Sequence, residues 1–257
     1  MGRTFVICEA GSSHDGDIEK AYRLIKAAGQ AGADACKFQF WSDAMLLASR
    51  RRAQEYAPVY KKYQVPEVWL SWLQLACTAS GVEFMSTVYL PGDVQFVDQY
   101  VRRHKIASFE AGDDDFVNTV LACRKETIIS TGMSTMRPVI PKERKRIKYL
   151  HCVSAYPCPH DQASLAVLRS GLFDGYSDHT KYVFTGGLAV AAGARILEVH
   201  FRLEGTSPDN PDYGTALTPE QLGVYVEFVR KAEAMSGDGQ KRIQPAEKAM
   251  AKYRVRA

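Results

Sequence analysis

The chain has 257 residues, of which 46% are hydrophobic, and its formal net charge at neutral pH is only +4. A chain of this length can bury a core without disulfides, and so small a charge gives no reason to expect a nucleic-acid or membrane partner. Its six cysteines include no C-x-x-C pair, and Cys8, Cys36, Cys77 and Cys152 lie within apolar runs. The N-terminus lacks a basic segment followed by a long apolar one, and the longest apolar run, near 186–197, is too short to span a bilayer. We therefore expect a cytoplasmic protein with reduced thiols.

Short runs with strand character alternate along the chain with longer runs of helical character. The strand candidates are residues 5–11, 35–40, 83–88, 104–108, 127–131, 147–153, 174–180 and 196–201. Eight such strands without a long hairpin signal predict a closed parallel barrel, a single-domain (β/α)8 TIM barrel over residues 1–240. An open doubly wound sheet is the alternative, and it is less favoured because polar groups stand at nearly every strand end, whereas an open sheet concentrates its site at one switch point. Residues 241–257 are predicted to form a tail outside the barrel.

Local signals place the helices and mark two departures from the repeat. Asp17 is a good N-cap for the first helix, and Thr218 opens a capping box for the last one. Residues 133–148 contain two prolines and predict a shortened helix between the fifth and sixth strands. Residues 41–65 form a long loop with aromatic residues and three arginines at 50–52, which we interpret as a solvated basic surface or a lid over the site.

The last two strand candidates each end in a histidine. Because side chains alternate along a strand, Ser177 and His179 share one face, and Glu198 and His200 share one face of the next strand. In a parallel barrel these C-terminal ends are neighbours at the rim where ligands bind. Two imidazoles there suggest a divalent metal, with Glu198 as an orienting or charge-balancing group. The alternative is a pair of unrelated polar histidines.

Lysines also lie within strand candidates, Lys37 in the second and Lys105 in the fourth. A buried ammonium group is costly without a partner, so a strand that carries Lys37 should also meet an anion. A phosphate group meets that demand, because ammonium groups and hydroxyls satisfy its oxygens. The alternative is that both lysines pair with Glu9, Glu110 or Glu198 for purely structural reasons.

Taken in order, the polar strand ends resemble the motifs of the sialic acid synthase family. The segments are CEAGSSHDG (8–16), CKFQ (36–39), FMSTVY (84–89), KIAS (105–108), STGMST (130–135), LHCVSAYPCP (150–159), GYSDHT (175–180), EVHF (198–201) and PDNPDYGTALTPEQL (208–222). The likeness covers about 9 to 250, and so many ordered motifs make it specific, although each alone would be weak. The chain is therefore identified as a member of that family.

The resemblance implies a metal-dependent condensation of phosphoenolpyruvate with a sugar aldehyde, which releases phosphate and yields a 2-keto-3-deoxy acid. In the family a divalent ion, usually manganese or magnesium and here alternatively cobalt, is held by two histidines that match His179 and His200. The ion would polarise the aldehyde for attack by C3 of phosphoenolpyruvate. The enzyme would then be a transferase of carbohydrate biosynthesis.

The same matching assigns the remaining site residues. The phosphate and carboxylate of phosphoenolpyruvate would be bound by Lys37, Thr87, Lys105, Ser108, Ser130, Ser154 and Ser177. Glu110 would face the developing positive charge or its water, and Glu9, Tyr156 and Asp212 would face the acceptor sugar. With the histidine pair, Glu9 and Glu110 are the implied catalytic residues. Fixed charges aimed in this way are usually the largest contribution to catalysis.

Several of these positions also admit a structural role. Tyr156 precedes a proline and could be a packed aromatic at a turn, and Asp212 could cap a turn. His14 and His151 are predicted to be hydrogen-bonded structural histidines and not metal ligands.

The sequence also departs from the family pattern. Typical members continue into a C-terminal antifreeze-like domain that reaches across a homodimer to the acceptor sugar, whereas residues 244–257 resemble only the linker toward it. Ser154 stands where asparagine is common. We therefore expect an acceptor other than N-acetylmannosamine, with a homodimer remaining the family's implication. The alternative function is a non-catalytic barrel that binds a phosphorylated ligand or a partner protein.

Overall fold

The structure is a computed structural model that describes residues 2–135 and 145–255. Eight parallel strands form a closed barrel in chain order, and β8 pairs back onto β1. The strands are β1 (Phe5–Gly11), β2 (Ala35–Phe40), β3 (Glu83–Val88), β4 (Arg103–Ile106), β5 (Glu126–Ser130), β6 (Ile147–Cys152), β7 (Gly175–Asp178) and β8 (Ile196–His200). The predicted TIM barrel is confirmed. The open sheet is wrong, because the pairing of β1 with β8 leaves no free edge.

Helices connect most of the strands. They are α1 (Ile18–Gln30), α2 (Ala44–Arg50), α3 (Ala57–Lys62), α4 (Trp69–Ala79), α5 (Val94–Asp98), α6 (Asp114–Leu121), α7 (Thr185–Ala192) and α8 (Pro219–Ser236). The Asp17 side chain accepts from the Glu19 N–H at the start of α1, and Thr218 and Gln221 make both bonds of the capping box of α8. The shortened helix predicted within 133–148 depends on residues 136–144, which lie outside the described residues.

Two apolar layers fix the barrel. A small cluster that includes Ile7, Met85, Ile128 and Leu150 fills its interior. A larger cluster contains the outward-facing strand residues, which pack against the helices. This division is expected because successive side chains of a strand point to opposite faces of the sheet. One alternation further along several strands the interior position becomes polar: Ile7 is followed by Glu9, Met85 by Thr87 and Ile128 by Ser130. The apolar plug therefore supports a charged layer at the C-terminal ends of the strands.

Residues 41–65, hereafter the insert, are not an open loop. They contain α2, α3 and a short 3-10 turn, and Trp41, Leu47 and Tyr63 form a separate apolar cluster with Tyr89 and Leu90 after β3. The Trp41 indole N–H donates to the Tyr60 carbonyl at 3.1 Å. The sequence interpretation missed these helices, because they depend on packing against the exit of β3.

The structure also bears on the predictions about the cysteines and about membrane spans. The cysteines are free, and all are buried except Cys123, which is partly buried. Within residues 2–135 and 145–255, no helix combines the length and the apolar character needed to cross a membrane. The boundary at 240 and the linker assignment of the following tail remain predictions.

Candidate active site

The barrel register brings the predicted site residues together. Glu9 on β1 is level with Lys37 on β2 and with His200 on β8, and Thr87 on β3 is level with Lys105 on β4. Because parallel strands keep this register around the closed barrel, residues distant in sequence meet at one rim.

A cavity of about 870 Å³ opens at this rim. Of the residues to which the sequence assigned roles, those that line it are Glu9, Lys37, Thr87, Lys105, Ser108, Glu110, Ser130, Tyr156, His179, Glu198, His200 and Asp212. Ser154 and Ser177 do not line it. Ser154 supports the wall from behind, because its hydroxyl lies 2.7 Å from that of Ser108, and Ser177 is buried on β7 beside Glu198 on β8.

The two lysines are buried among carboxylates. Lys37 forms an ion pair with Glu9, and its ammonium nitrogen lies 3.6 Å from Oε1 of Glu198. The Lys105 nitrogen lies 3.4 Å from Oε2 of the same glutamate. Glu198 therefore bridges the two ammonium groups, which is a charge-balancing role toward the lysines. The structural pairing considered as an alternative is present for both lysines, so their burial alone does not require a phosphate.

Hydroxyl groups complete the surroundings of the lysines. The Lys37 ammonium donates to the Thr87 hydroxyl at 2.6 Å, and that of Lys105 donates to the Ser130 hydroxyl at 2.8 Å. Burial tends to raise the pKa of Glu198, but the lysines and nearby histidines outweigh it and lower this pKa to about 2. Burial is also the largest influence on Lys105, whose pKa is lowered. The site thus holds an ionised carboxylate between two ammonium groups.

The two histidines predicted to bind metal lie side by side. Their ring centroids are 5.5 Å apart, and the Tyr156 ring packs 4.3 Å from that of His179 and 5.9 Å from that of His200. Nδ1 of His179 lies 2.7 Å from the carbonyl oxygen of Val153, to which it can donate, leaving Nε2 as the available ligand atom. Burial lowers the pKa of His179 to about 4, which keeps the ring neutral, as a metal ligand must be.

Asp212 fixes the second of these rings. Its Oδ1 lies 3.1 Å from Nδ1 of His200, while Oδ2 accepts from the backbone N–H and the hydroxyl of Ser12, both at 2.7 Å. Gly11 has φ of +50° and lies so close that a Cβ there would come within 2.2 Å of the Asp212 carboxylate. Asp212 is therefore a buried partner of an imidazole and not simply a turn cap. The neighbouring carboxylates and the free Nε2 of His179 suit a divalent cation.

Comparisons with known proteins show the family to which the chain belongs. A model of the NeuB family matches residues 24–241. The chain belongs to the NeuB family. A pseudaminic acid synthase of Campylobacter jejuni subsp. jejuni is 32% identical over 261 residues, which cover 92% of this chain and 76% of the relative. An N,N'-diacetyllegionaminic acid synthase of Legionella pneumophila subsp. pneumophila is 31% identical over 272 residues, which cover 93% and 74%.

Solved structures of the same kind have the same fold. The crystal structure of N-acetylneuraminic acid (sialic acid) synthetase from Leptospira borgpetersenii serovar Hardjo-bovis, in complex with citrate, superimposes with a TM-score of 0.89 at 25% identity, and the match covers 98% of this chain and 91% of that one. The predicted resemblance is confirmed. NeuB family enzymes are sugar acid synthases that condense phosphoenolpyruvate with a sugar, and they are typically metal-dependent. This chain is accordingly an enzyme, and the non-catalytic alternative is set aside.

One ion pair at the rim was not predicted. The Arg51 guanidinium, from the insert, donates to Glu110 at 2.6 Å, and the Arg51 side chain is only 21% exposed. The interpretation of the arginines at 50–52 as solvated surface is therefore wrong for Arg51. A run of three arginines gave no sign that Arg51 pairs with Glu110, because that partner lies 59 residues away. The aromatic content of the loop was the signal that could have suggested a packed segment.

His14 and His151 make structural contacts, as predicted. His14 packs edge-on against Trp69, and Nε2 of His151 lies 3.0 Å from the Ala163 carbonyl. Neither lines the cavity.

A second group of potential metal ligands lies outside the rim, among the described residues. It consists of Asp98, His104 and Cys123. His104 adjoins the inward-facing Lys105 on β4, so it points to the outer face of the barrel. The Lys125 ammonium already lies 3.0 Å from Asp98, and His104 lies 2.8 Å from the same carboxylate oxygen. The carboxylate of this group is thus already paired with Lys125 and His104, which leaves little negative charge for a cation.

Proposed function

We propose that the enzyme catalyses a metal-dependent condensation of phosphoenolpyruvate with a sugar aldehyde, releasing inorganic phosphate and forming a 2-keto-3-deoxy acid. The observation that carries the proposal is the shared cavity of Lys37, Lys105, His179 and His200, in which Glu198 bridges the two ammonium groups. A cation site beside two ammonium groups suits a small substrate with several negative charges.

The charges of the cavity support joint use of a metal and phosphoenolpyruvate. The basic side chains of its lining are Lys37, Arg50, Arg51 and Lys105, and the acidic ones are Glu9, Glu110, Asp113, Glu198 and Asp212. These side chains carry no excess of positive charge, whereas phosphoenolpyruvate is a trianion. A divalent cation at the histidine pair would supply the missing positive charge. We infer that the metal and phosphoenolpyruvate strengthen each other's binding.

The lysines and hydroxyls would hold phosphoenolpyruvate. In this proposal the phosphate becomes a further partner of Lys37, beside Glu9 and Glu198, and of Lys105, beside Glu198. The hydroxyls of Thr87 and Ser130 already accept from the same ammonium groups. The hydroxyl residues of the site are Thr87, Ser108, Ser130, Ser154 and Ser177, of which the last two act from behind the wall. Ammonium groups and hydroxyls are suitable partners for phosphate oxygens.

The reaction follows from this placement. C3 of phosphoenolpyruvate forms a bond to the aldehyde carbon, whose oxygen takes up a proton; water adds to C2, and the C2–O bond to phosphate breaks to leave the keto acid. A divalent ion, manganese in our proposal, held by His179 and His200 would supply Lewis-acid polarisation of the aldehyde. Glu110 would stabilise the positive charge that develops at C2 or orient the water. Glu9, Tyr156 and Asp212 would contact the acceptor.

The acceptor is proposed to differ from N-acetylmannosamine. The insert contributes aromatic side chains, Tyr56, Tyr60 and Tyr63, to the lining. The named relatives include synthases of pseudaminic acid and of N,N'-diacetyllegionaminic acid. A differently substituted aldose is therefore a better candidate than the precursor of ordinary sialic acid.

Incubation of the enzyme with Mn²⁺, phosphoenolpyruvate and a panel of aldoses tests the proposal. The panel includes N-acetylmannosamine and the aldose precursors of pseudaminic and legionaminic acids. We expect phosphate release with at least one aldose, matched in amount by a new keto acid in mass spectrometry. The His179→Ala, His200→Ala double variant serves as the control and should release none. Absence of phosphate release with every aldehyde would contradict the proposal.

A further inference from the structure

The insert supplies a residue that reaches the reacting end of the cavity. We propose that Arg51 is a positioning residue for the condensation: it fixes the orientation of the Glu110 carboxylate, so that turnover depends on the insert as well as on the strand ends. This inference rests on the proposed function, in which Glu110 faces the developing charge.

Arg51 contacts one of the two carboxylate oxygens of Glu110. Nε and Nη2 of Arg51 both donate to the same oxygen of Glu110, Oε1, at 3.1 and 2.6 Å. The other oxygen, Oε2, is buried without a hydrogen-bond partner among the described residues. A carboxylate held by one oxygen keeps the second available for a substrate or a water molecule.

Arg51 is itself held in place by aromatic rings. Its guanidinium carbon lies 4.7 Å from the ring centroid of Tyr89, 5.1 Å from that of Phe109 and 5.7 Å from that of Tyr60. Tyr60 belongs to the insert, whereas Tyr89 follows β3 and Phe109 follows β4. Stacking and cation–π attraction on several sides restrict a long side chain that would otherwise lose entropy on binding Glu110.

Arg51 also influences the protonation of Glu110. Burial raises the pKa of Glu110, and Arg51 is the largest of the influences that oppose this, followed by Arg50 and Lys105. The phenol of Tyr89 also faces the pair. Without Arg51 the buried carboxylate would lose its ion pair and would turn away or take up a proton. The lysines that hold phosphoenolpyruvate are unaffected, so the defect should appear in turnover.

Steady-state kinetics on Arg51→Gln, Arg51→Lys and the control Arg52→Gln test this inference. Arg52 is exposed and does not line the cavity. We expect the kcat of Arg51→Gln to fall about 10²-fold, because misplaced catalytic groups cost about that much, with the KM for phosphoenolpyruvate within about threefold of the wild-type value. Arg51→Lys should recover part of kcat, and Arg52→Gln should behave like the wild type.

A double-mutant cycle with Glu110→Gln separates positioning from a general effect of folding. If Arg51 acts through Glu110, Arg51→Gln should cause little further loss of kcat in the Glu110→Gln background. Additive losses, or a loss confined to KM, would overturn the inference. If Arg51→Gln does not fold by circular dichroism, the cycle with Arg51→Lys decides. An inactive wild-type enzyme would instead count against the proposed function.

Discussion

The cavity is built by two regions that are fixed in different ways. The strand rim, which comprises Glu9, Lys37, Lys105, Glu198 and His200, is placed by the barrel register, and its charges are buried and paired. The insert is placed by its own aromatic cluster against the exit of β3, and it reaches the cavity through the ion pairs of Arg51 with Glu110 and of Arg50 with Asp113. The comparison indicates that the barrel sets which chemistry is available, while the insert adjusts one carboxylate and shapes the outer wall.

The largest effect should come from the strand rim. Lys105→Met removes an ammonium group that is proposed to hold the phosphate, and it leaves Glu198 with a single lysine partner. We expect phosphate release to fall by about 10³-fold or more. Lys125→Met is the matched control, because Lys125 pairs with Asp98 outside the rim and should be nearly neutral for activity. Equal losses in the two variants would contradict the special role of the rim.

A smaller effect, on stability, is expected from His14, a buried histidine that does not line the cavity. Burial lowers the pKa of His14 to about 4, so the folded state keeps this ring neutral. Between pH 7 and 5 the unfolded chain takes up a proton that the folded chain does not, and the free energy of unfolding should therefore fall as pH falls. The contribution is about 2 kcal/mol over this interval.

Urea unfolding of the wild type, His14→Gln and His160→Gln at pH 7 and 5 measures that contribution. His14→Gln should lose less stability on acidification than the wild type, whereas His160→Gln, at an exposed position, should follow the wild type. Identical acid sensitivity of all three proteins would show that His14 titrates as in the unfolded chain.

The smallest effect concerns the backbone of the insert. Arg52 has φ of +52°, in the left-handed region that favours glycine. Arg52→Gly should raise the free energy of unfolding by about 0.5 to 1 kcal/mol, whereas Arg23→Gly, at an exposed position within α1, should lower it by about 1 kcal/mol. A destabilised Arg52→Gly in urea unfolding would mean that the arginine side chain contributes more than the strain costs.

The strand rim could be predicted from the sequence because a barrel repeats a simple rule. Alternation along a strand put Glu198 and His200 on one face, and the closed parallel order brought them to Lys37. Motif likeness then identified the family, as the comparisons confirm. The pairing of the lysines with carboxylates was recognised only as an alternative, since the sequence does not show which of several nearby anions is closest.

The insert could not be predicted in the same way. Its helices are short, and their stability depends on contacts with residues after β3 that periodicity does not reveal. The Arg51–Glu110 pair joins segments 59 residues apart across an irregular region. In such a region no repeat relates position in the chain to position in space.

Calorimetric titration of the wild-type enzyme with phosphoenolpyruvate, with and without Mn²⁺, is the most direct test of the account. In the proposed function the cation assists binding of the anion, because the side chains that line the cavity carry no excess of positive charge. We expect at least about tenfold tighter binding of phosphoenolpyruvate with Mn²⁺, and loss of that gain in the His179→Ala, His200→Ala double variant. Equal affinity for phosphoenolpyruvate with and without Mn²⁺ would contradict a joint site at the strand rim.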